Sequence, residues 1–262
     1  VRTAAKMAEA LRKLGYEVTT GVGGNGVVGV LRNGAGPVVM LRTDMDALPL
    51  PELIDVPYKS TVPNVKHACG HDGHTAIALG LADIVSRLRA DLPGTVVFLF
   101  QPAEEGDPDG GRTGALRVLD DWPFTNPTPQ VIFGLHLVPM MHVGLVGVNS
   151  GSAMASSDRF NITIQGKSTH GAMPHTGLDP IPIASEVVLA FQTIPSRQMS
   201  AQDPTVVSVG MINGGARYNI IADSVKMEGT VRSLSPTGPA TVKSKMDAIL
   251  KANGLTRGTV AE

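Results

Sequence analysis

The spacing of apolar positions divides the chain into two differently patterned parts. In residues 3–14, Ala4, Met7, Ala8, Leu11 and Leu14 recur at helical intervals, and Gly15 supplies the stop. Residues 16–20 and 27–31 read as short strands on either side of Gly21-Val22-Gly23-Gly24-Asn25-Gly26. In letters this stretch matches a dinucleotide fingerprint, but that motif needs a helix after it, and residues 27–31 are β-like and broken by glycine. A hairpin turn is the better reading. Residues 37–42 form a continuous apolar run of the kind found in a strand buried on both faces, and 95–100 and 131–136 add two more strands. Between them the pattern predicts helices over about 74–90 and 112–120, the first with Ile77, Leu81, Ile84, Val85 and Leu88 on one face. Small polar residues fill 149–157 and mark a domain boundary. Beyond it, Phe160, Ile162 and Ile164 alternate with polar neighbours, as in a half-buried strand. Residues 180–194 and 236–252 read as helices, and 204–212 and 223–232 as strands, the last with Val225, Met227, Gly229 and Val231 on one face. The order β-α-β-β-α, awaiting one more strand, is an open-faced α+β sandwich of the split βαβ kind.

The polar residues that interrupt this pattern carry the chemistry. His67-Ala-Cys-Gly-His-Asp-Gly-His74 holds three of the seven histidines and the sole cysteine within eight positions. Thiolate, imidazole and carboxylate are the protein ligands for zinc and similar divalent ions, and such density rarely serves packing alone. Three predicted strands each run into metal-competent side chains: Asp44 and Asp46 after the first, Glu104 and Glu105 after the second, His136 at the end of the third. Strand ends are where open α/β sheets place their sites, so these groups are expected to converge. Asp46 is the candidate for orienting a metal-bound imidazole, with Asp44 less clearly placed. Of the adjacent glutamates, one can ligate a metal while the other faces the attacking water as general base. His142 and His175 lack comparable context and read as structural.

Composition narrows the functional classes. At 262 residues, with 42% apolar and 17% charged positions, the chain is an ordinary globular protein with room for two domains. A net charge of −1 gives no electrostatic case for nucleic acid or an anionic membrane, and 4% aromatics argues against base stacking. No run of about 18 apolar residues predicts a membrane span. One cysteine makes no internal disulfide, which fits a cytoplasmic location. The chain starts at Val1, and no signal-peptide pattern precedes the first helix.

Five stretches together resemble a known family. They are Arg42-Thr-Asp-Met-Asp-Ala-Leu-Pro49, the His67–His74 cluster, Gln101-Pro-Ala-Glu-Glu-Gly106, Gly166-Lys-Ser-Thr-His-Gly-Ala-Met-Pro-His175, and Asn219-Ile-Ile-Ala-Asp223 with Gly229-Thr-Val-Arg232. The sequence resembles the amidohydrolase branch of the dinuclear zinc exopeptidases: hippurate hydrolases, N-acyl-amino-acid deacetylases and indoleacetyl-amino-acid hydrolases. The resemblance implies a zinc-exopeptidase-like α/β catalytic domain over residues 1–152, with an inserted split-βαβ lid and dimerisation domain over 153–262. It implies Cys69, His71, Glu105 and His136 as ligands for two divalent ions (zinc, manganese, cobalt or nickel), Glu104 as general base and Asp46 behind the ligands. His170 would donate to the oxyanion, and Asn219 and Arg232 would hold the α-carboxylate of an N-acyl amino acid. The expected assembly is a homodimer through the lid. Family members have a further N-terminal segment and return to the catalytic domain after the lid, bringing one more metal-binding histidine. The chain is therefore expected to be a truncated form. Three alternatives stay open: a dipeptidase or carboxypeptidase with the same centre, a cysteine hydrolase built on Cys69, and an inactive metal-binding fragment.

Overall fold

The computed structural model describes residues 1–106, 112–122 and 124–253, and the chain divides into two compact units, Val1–Gly144 and Leu145–Glu262. The first unit contains α1 (Arg2–Lys13), β1 (Glu17–Val22), β2 (Gly26–Asn33), β3 (Val38–Asp44), α2 (His71–Arg87), β4 (Gly94–Gln101), α3 (Gly114–Asp121) and β5 (Val131–Gly134). Its sheet has the order β1-β2-β4-β3-β5. β1 and β2 pair antiparallel across the glycine-rich turn, so the residues after it extend the sheet and form no helix. β4 pairs antiparallel with β2, whereas β3, β4 and β5 run parallel.

The continuous apolar runs are explained by layers on both faces of this sheet. Phe98 and Phe100 of β4 join Leu41 and Val27 beneath α1 and α2, meeting Leu11, Ala78 and Ala82. Val97 and Leu99 point the other way, with Met40 and Val28, toward Val118 of α3. Successive side chains of one strand thus bury on opposite sides.

Helix α2 differs from its expected register. It begins at His71, and its buried face is His71, His74, Thr75, Ala78 and Ala82. Of the expected row, Ile77, Leu81, Ile84 and Leu88 are exposed, and Val85 is partly buried against the core. Small residues let the helix lie close to β3, and the bulkier apolar row does not face the sheet. Gly70, at φ 90°, is the residue immediately before the helix, a left-handed position that glycine adopts without a Cβ penalty. β5 likewise ends at Gly134, leaving His136 in the loop beyond it.

The second unit contains β6 (Asp158–Gln165), α4 (Pro180–Thr193), β7 (Thr205–Gly214), β8 (Ser224–Ser233) and α5 (Gly238–Ala252). Its antiparallel sheet has the order β6-β8-β7. α4 starts on Asp179, whose side chain accepts from the Ile181 amide at 3.0 Å, with Pro180 at the first helical position. Phe160, Ile162, Ile164, Val225, Met227 and Val231 pack against Val187 and Phe191 of α4 and Met246 of α5. This is the predicted open-faced sandwich; the closing strand expected after 252 lies outside the described residues.

One buried phenol tests the packing of the first unit. The Tyr16 hydroxyl donates to the Ala82 carbonyl at 3.0 Å, fixing α2 above the start of the sheet. Burial pushes its pKa up to about 12 from 10.0, so the fold holds the neutral phenol while the unfolded chain ionises first. Stability is therefore expected to fall as pH rises from about 10 to 12. Tyr16→Phe should cost about 1 kcal/mol at neutral pH and flatten that alkaline loss, both read from urea unfolding.

Candidate metal centre

The parallel register of β3, β4 and β5 decides where the polar residues meet. Asp44 is opposite Gln101, and Arg42 is opposite Gly134, so the three strands end together at one edge of the sheet. The chain leaves each strand there with Asp46, with Glu104 and Glu105, and with His136. The amino end of α2 brings His71 and His74 to the same edge, one turn apart on the buried face.

Asp44 is the buried anchor. Its Oδ2 takes Arg42 at 2.9 Å, its Oδ1 accepts from His74 Nδ1 at 2.6 Å, and its backbone carbonyl accepts from the Thr75 hydroxyl at 3.1 Å. Burial works to raise its pKa, but the His74 hydrogen bond and the His71 and Arg42 charges outweigh it and hold the carboxyl below its ordinary value. Asp46 has a different task. His71 Nδ1 lies 3.0 Å from its carbonyl and 3.2 Å from its Oδ1, while Oδ2 accepts from the Glu105 amide at 3.1 Å. One aspartate therefore fixes both the His71 ring and the turn bearing the glutamate pair.

With Nδ1 committed to Asp46, the chemistry of His71 rests on Nε2. That nitrogen is buried and has no hydrogen-bond partner among the described residues. Around it stand Asp44 Oδ2 at 3.8 Å, Glu104 Oε2 at 3.9 Å and Glu105 Oε1 at 3.9 Å. Such separations are too long for hydrogen bonds and suit donors that share a cation. Cys69 Sγ is 3.4 Å from His136 Nε2, and His136 Nδ1 is 2.8 Å from the Leu137 carbonyl, leaving Nε2 directed at the cysteine.

Three donor sets have ligand atoms within 4.8 Å of one another: Cys69, His71 and His136; His71, Glu104 and Glu105; and Asp44, His71 and His74. The third is already satisfied, because His74 gives Nδ1 to Asp44 and uses Nε2 to accept the Leu137 amide at 2.8 Å. The other two sets together offer the thiolate, imidazole and carboxylate that zinc-type sites use, with one of the adjacent glutamates left over to face the attacking water. They share His71 Nε2, and one nitrogen lone pair serves one ion.

Comparison with known proteins shows the family. Residues 40–254 match Peptidase family M20/M25/M40. The chain belongs to this family. It is 38% identical to an N-acetyl-L-cysteine deacetylase of Bacillus subtilis over 94% of its length and 58% of the relative's. It is 40% identical to a thermostable carboxypeptidase of Saccharolobus solfataricus, covering 95% of this chain and 63% of that one. A Bacillus subtilis crystal structure described as a dinuclear metal-binding peptidase of the M20 family superposes with a TM-score of 0.78 at 34% identity, covering 97% of this chain and 64% of that one. The chain thus spans about three-fifths of the length of these relatives.

In the second unit of this M20 chain, the candidate substrate residues fall into two places. The β6–β8 pairing continues past Gln165, so that His170 bridges Ile220 and the Gly171 amide donates to the Asn219 carbonyl at 2.8 Å. His170 is exposed, and its Nδ1 accepts from the Ala172 amide at 3.1 Å. Asn219 Oδ1 is buried without a partner among the described residues. Arg232 is exposed on β8, opposite Val206. The strand from Ser224 to Arg232 alone spans roughly 27 Å at about 3.4 Å per residue, so Asn219 and Arg232 of one copy do not meet.

The thiol separates two chemistries. Burial, a hydrogen bond to Glu105, and the Glu105, Glu104 and Asp44 charges push Cys69 up to about 11, so its thiol keeps its proton at neutral pH. That is the reverse of an activated nucleophile. A metal ligand must lose the proton on binding, so uptake at Cys69 is expected to tighten about tenfold per pH unit between about pH 7 and 9. Zinc competition titrations should show this slope in the wild type and a flatter one in Cys69→Ala.

Proposed function

We propose that the chain is the metal-binding portion of an amidohydrolase that cleaves N-acyl amino acids to a carboxylic acid and an amino acid. The observation that carries this reading is the gathering of Cys69, His136, Glu104 and Glu105 around His71, whose Nε2 has no hydrogen-bond partner among the described residues, at the carboxyl ends of three parallel strands. Cys69, His71, Glu105 and His136 would hold a centre of two divalent ions, zinc, manganese, cobalt or nickel. A metal held there would supply Lewis acidity at the amide carbonyl and lower the pKa of the attacking water. Asp46 keeps the His71 ring turned so that Nε2 faces the centre.

Glu104 is the general base. Burial and the Glu105 and Asp44 charges raise its carboxyl above the ordinary value, although Arg42 pulls the other way. A raised carboxyl accepts the proton of the attacking water more readily and can return it to the departing amine nitrogen. His170 would donate to the developing oxyanion. Asn219 and Arg232 would bind the substrate carboxylate, where a guanidinium fork suits two oxygens. Because these two residues stand far apart in one copy, one carboxylate meets both only when they come from different copies. That supports a lid and dimerisation role for residues 153–262, as do Val206, Met211, Ile212 and Tyr218, exposed on β7 and just after it. Cys69, unpaired in any internal disulfide, would ligate as a thiolate once the metal displaces its proton, which suits the reducing cytoplasm. Among the described residues, no helix is long and apolar enough to cross a membrane.

The same centre could act on a peptide bond, and the likeness to a carboxypeptidase favours that second reading. Hydrolysis of an N-acetyl or N-benzoyl amino acid, run beside a dipeptide, separates the two. Glu104→Gln is expected to lower turnover by roughly 10²–10⁴-fold while metal content, measured by elemental analysis, stays at the wild-type level. Turnover that persists after chelation would overturn the metal mechanism.

A further inference from the structure

His74 has no part in holding the metal, yet it is the most enclosed titratable group at the site, with no exposed surface. Both its ring nitrogens are engaged. The Leu137 backbone amide can only donate, so His74 Nε2 accepts at 2.8 Å, and the ring proton must sit on Nδ1, facing Asp44 Oδ1 at 2.6 Å. The tautomer is thus fixed by its two partners. Leu137 is the neighbour of His136, and its carbonyl accepts from His136 Nδ1 at 2.8 Å. The same residue is therefore gripped at its amide by His74 and at its carbonyl by His136. The His74 and His136 rings stand edge to face, 4.7 Å apart. The missing side chain at Gly73 lets Leu137 lie on the first turn of α2; a Cβ there would come within 2.4 Å of Leu137 Cδ1.

We propose that His74, held by Asp44, is a positioning residue for His136 that acts through the Leu137 amide. β5 ends two residues before His136, which is exposed in the loop. The strand alone does not fix its side chain. The chain Asp44–His74–Leu137–His136 does so from the buried side. It sets the height of the Leu137 peptide, and the carbonyl of that residue selects Nδ1 of His136 as the protonated nitrogen. Nε2 then remains free and aimed at Cys69. The strand-end aspartate thereby reaches a ligand in the loop beyond a different strand without touching it, an arrangement expected to govern metal affinity as outer partners of metal-bound histidines do.

This proposal rests on the metal-centre reading, and cobalt separates the two. Cobalt(II) titration of the purified protein reads affinity and, through the sulfur-to-cobalt charge-transfer band, engagement of Cys69. The side-chain amide of Gln reaches the position of imidazole Nε2 and keeps the Leu137 bond; that of Asn reaches only the position of Nδ1 and keeps the Asp44 bond. His74→Gln is expected to stay within a few-fold of the wild type. His74→Asn and His74→Phe should weaken cobalt binding by about 10–100-fold and diminish the band, with the folded state of each variant checked by circular dichroism. If His74→Phe does not fold, the Gln and Asn pair decides alone. Equal cobalt affinity in Gln and Asn overturns the proposal, whether both match the wild type or both are impaired, because a merely structural histidine would show no such order. A wild-type protein without the band overturns the metal centre itself, and this proposal with it.

Discussion

A buried imidazole nitrogen without a hydrogen-bond partner costs about 1–3 kcal/mol if nothing satisfies it. Among the described residues His71 Nε2 is such a nitrogen, and the surrounding structure leads to it. Its own Nδ1 is tied to Asp46, the start of α2 puts it against the sheet, and parallel strand pairing brings carboxylates from two neighbouring strand ends to just under 4 Å. A packed core would bury a different residue there, or pair the nitrogen. The arrangement makes physical sense when a cation supplies the missing partner, because it compensates the imidazole and the carboxylates together.

Parallel pairing is what makes such a convergence possible. In an antiparallel pair, successive strand ends lie at opposite edges; in β3, β4 and β5 they lie at the same edge. Residues far apart in sequence, such as Asp46, Glu105 and His136, then leave the sheet side by side. The antiparallel β1–β2 hairpin adds width to the sheet and carries none of the donors. The two layers of helices also have unequal roles: α3 covers apolar strand residues and holds the Gly23 amide of the hairpin turn through Asp121, whereas α2 covers the sheet and delivers two histidines from its first turn.

Much of this was legible in the sequence, for identifiable reasons. Runs such as residues 37–42 and 95–100 announce strands buried on both faces, and polar residues at their ends announce a site. The alternation of Phe160, Ile162 and Ile164 announces a sheet covered on one side. The face of α2 misleads because two stripes compete along it. The bulky row at Ile77, Leu81, Ile84 and Leu88 dominates by hydrophobicity, but Ala78, Ala82 and Thr75 permit the closer approach that β3 and β4 require. Periodicity weighs side-chain apolarity; it is blind to the distance between a helix and its sheet. His74 was illegible for another reason. Its partner is the backbone amide of Leu137, 63 positions away, and backbone donors leave no mark in a sequence. The spacing of His71 and His74 could have shown that both share the helix face, had the helix been started three residues earlier.

The environment of Cys69 shows why residue type alone does not name a mechanism. A lone cysteine beside histidines suggests a nucleophile and its base. In this fold the thiol instead lies among Glu105, Glu104 and Asp44, and burial together with their negative charge opposes ionisation. A nucleophile in that position would be held in its unreactive form. A ligand in the same position is favoured, because a divalent ion reverses the sign of the local field and is itself stabilised by every carboxylate that disfavours the free thiolate. On the proposed reading, the neighbours that disable one chemistry are the ones that build the other, with His136 Nε2 directed at the sulfur.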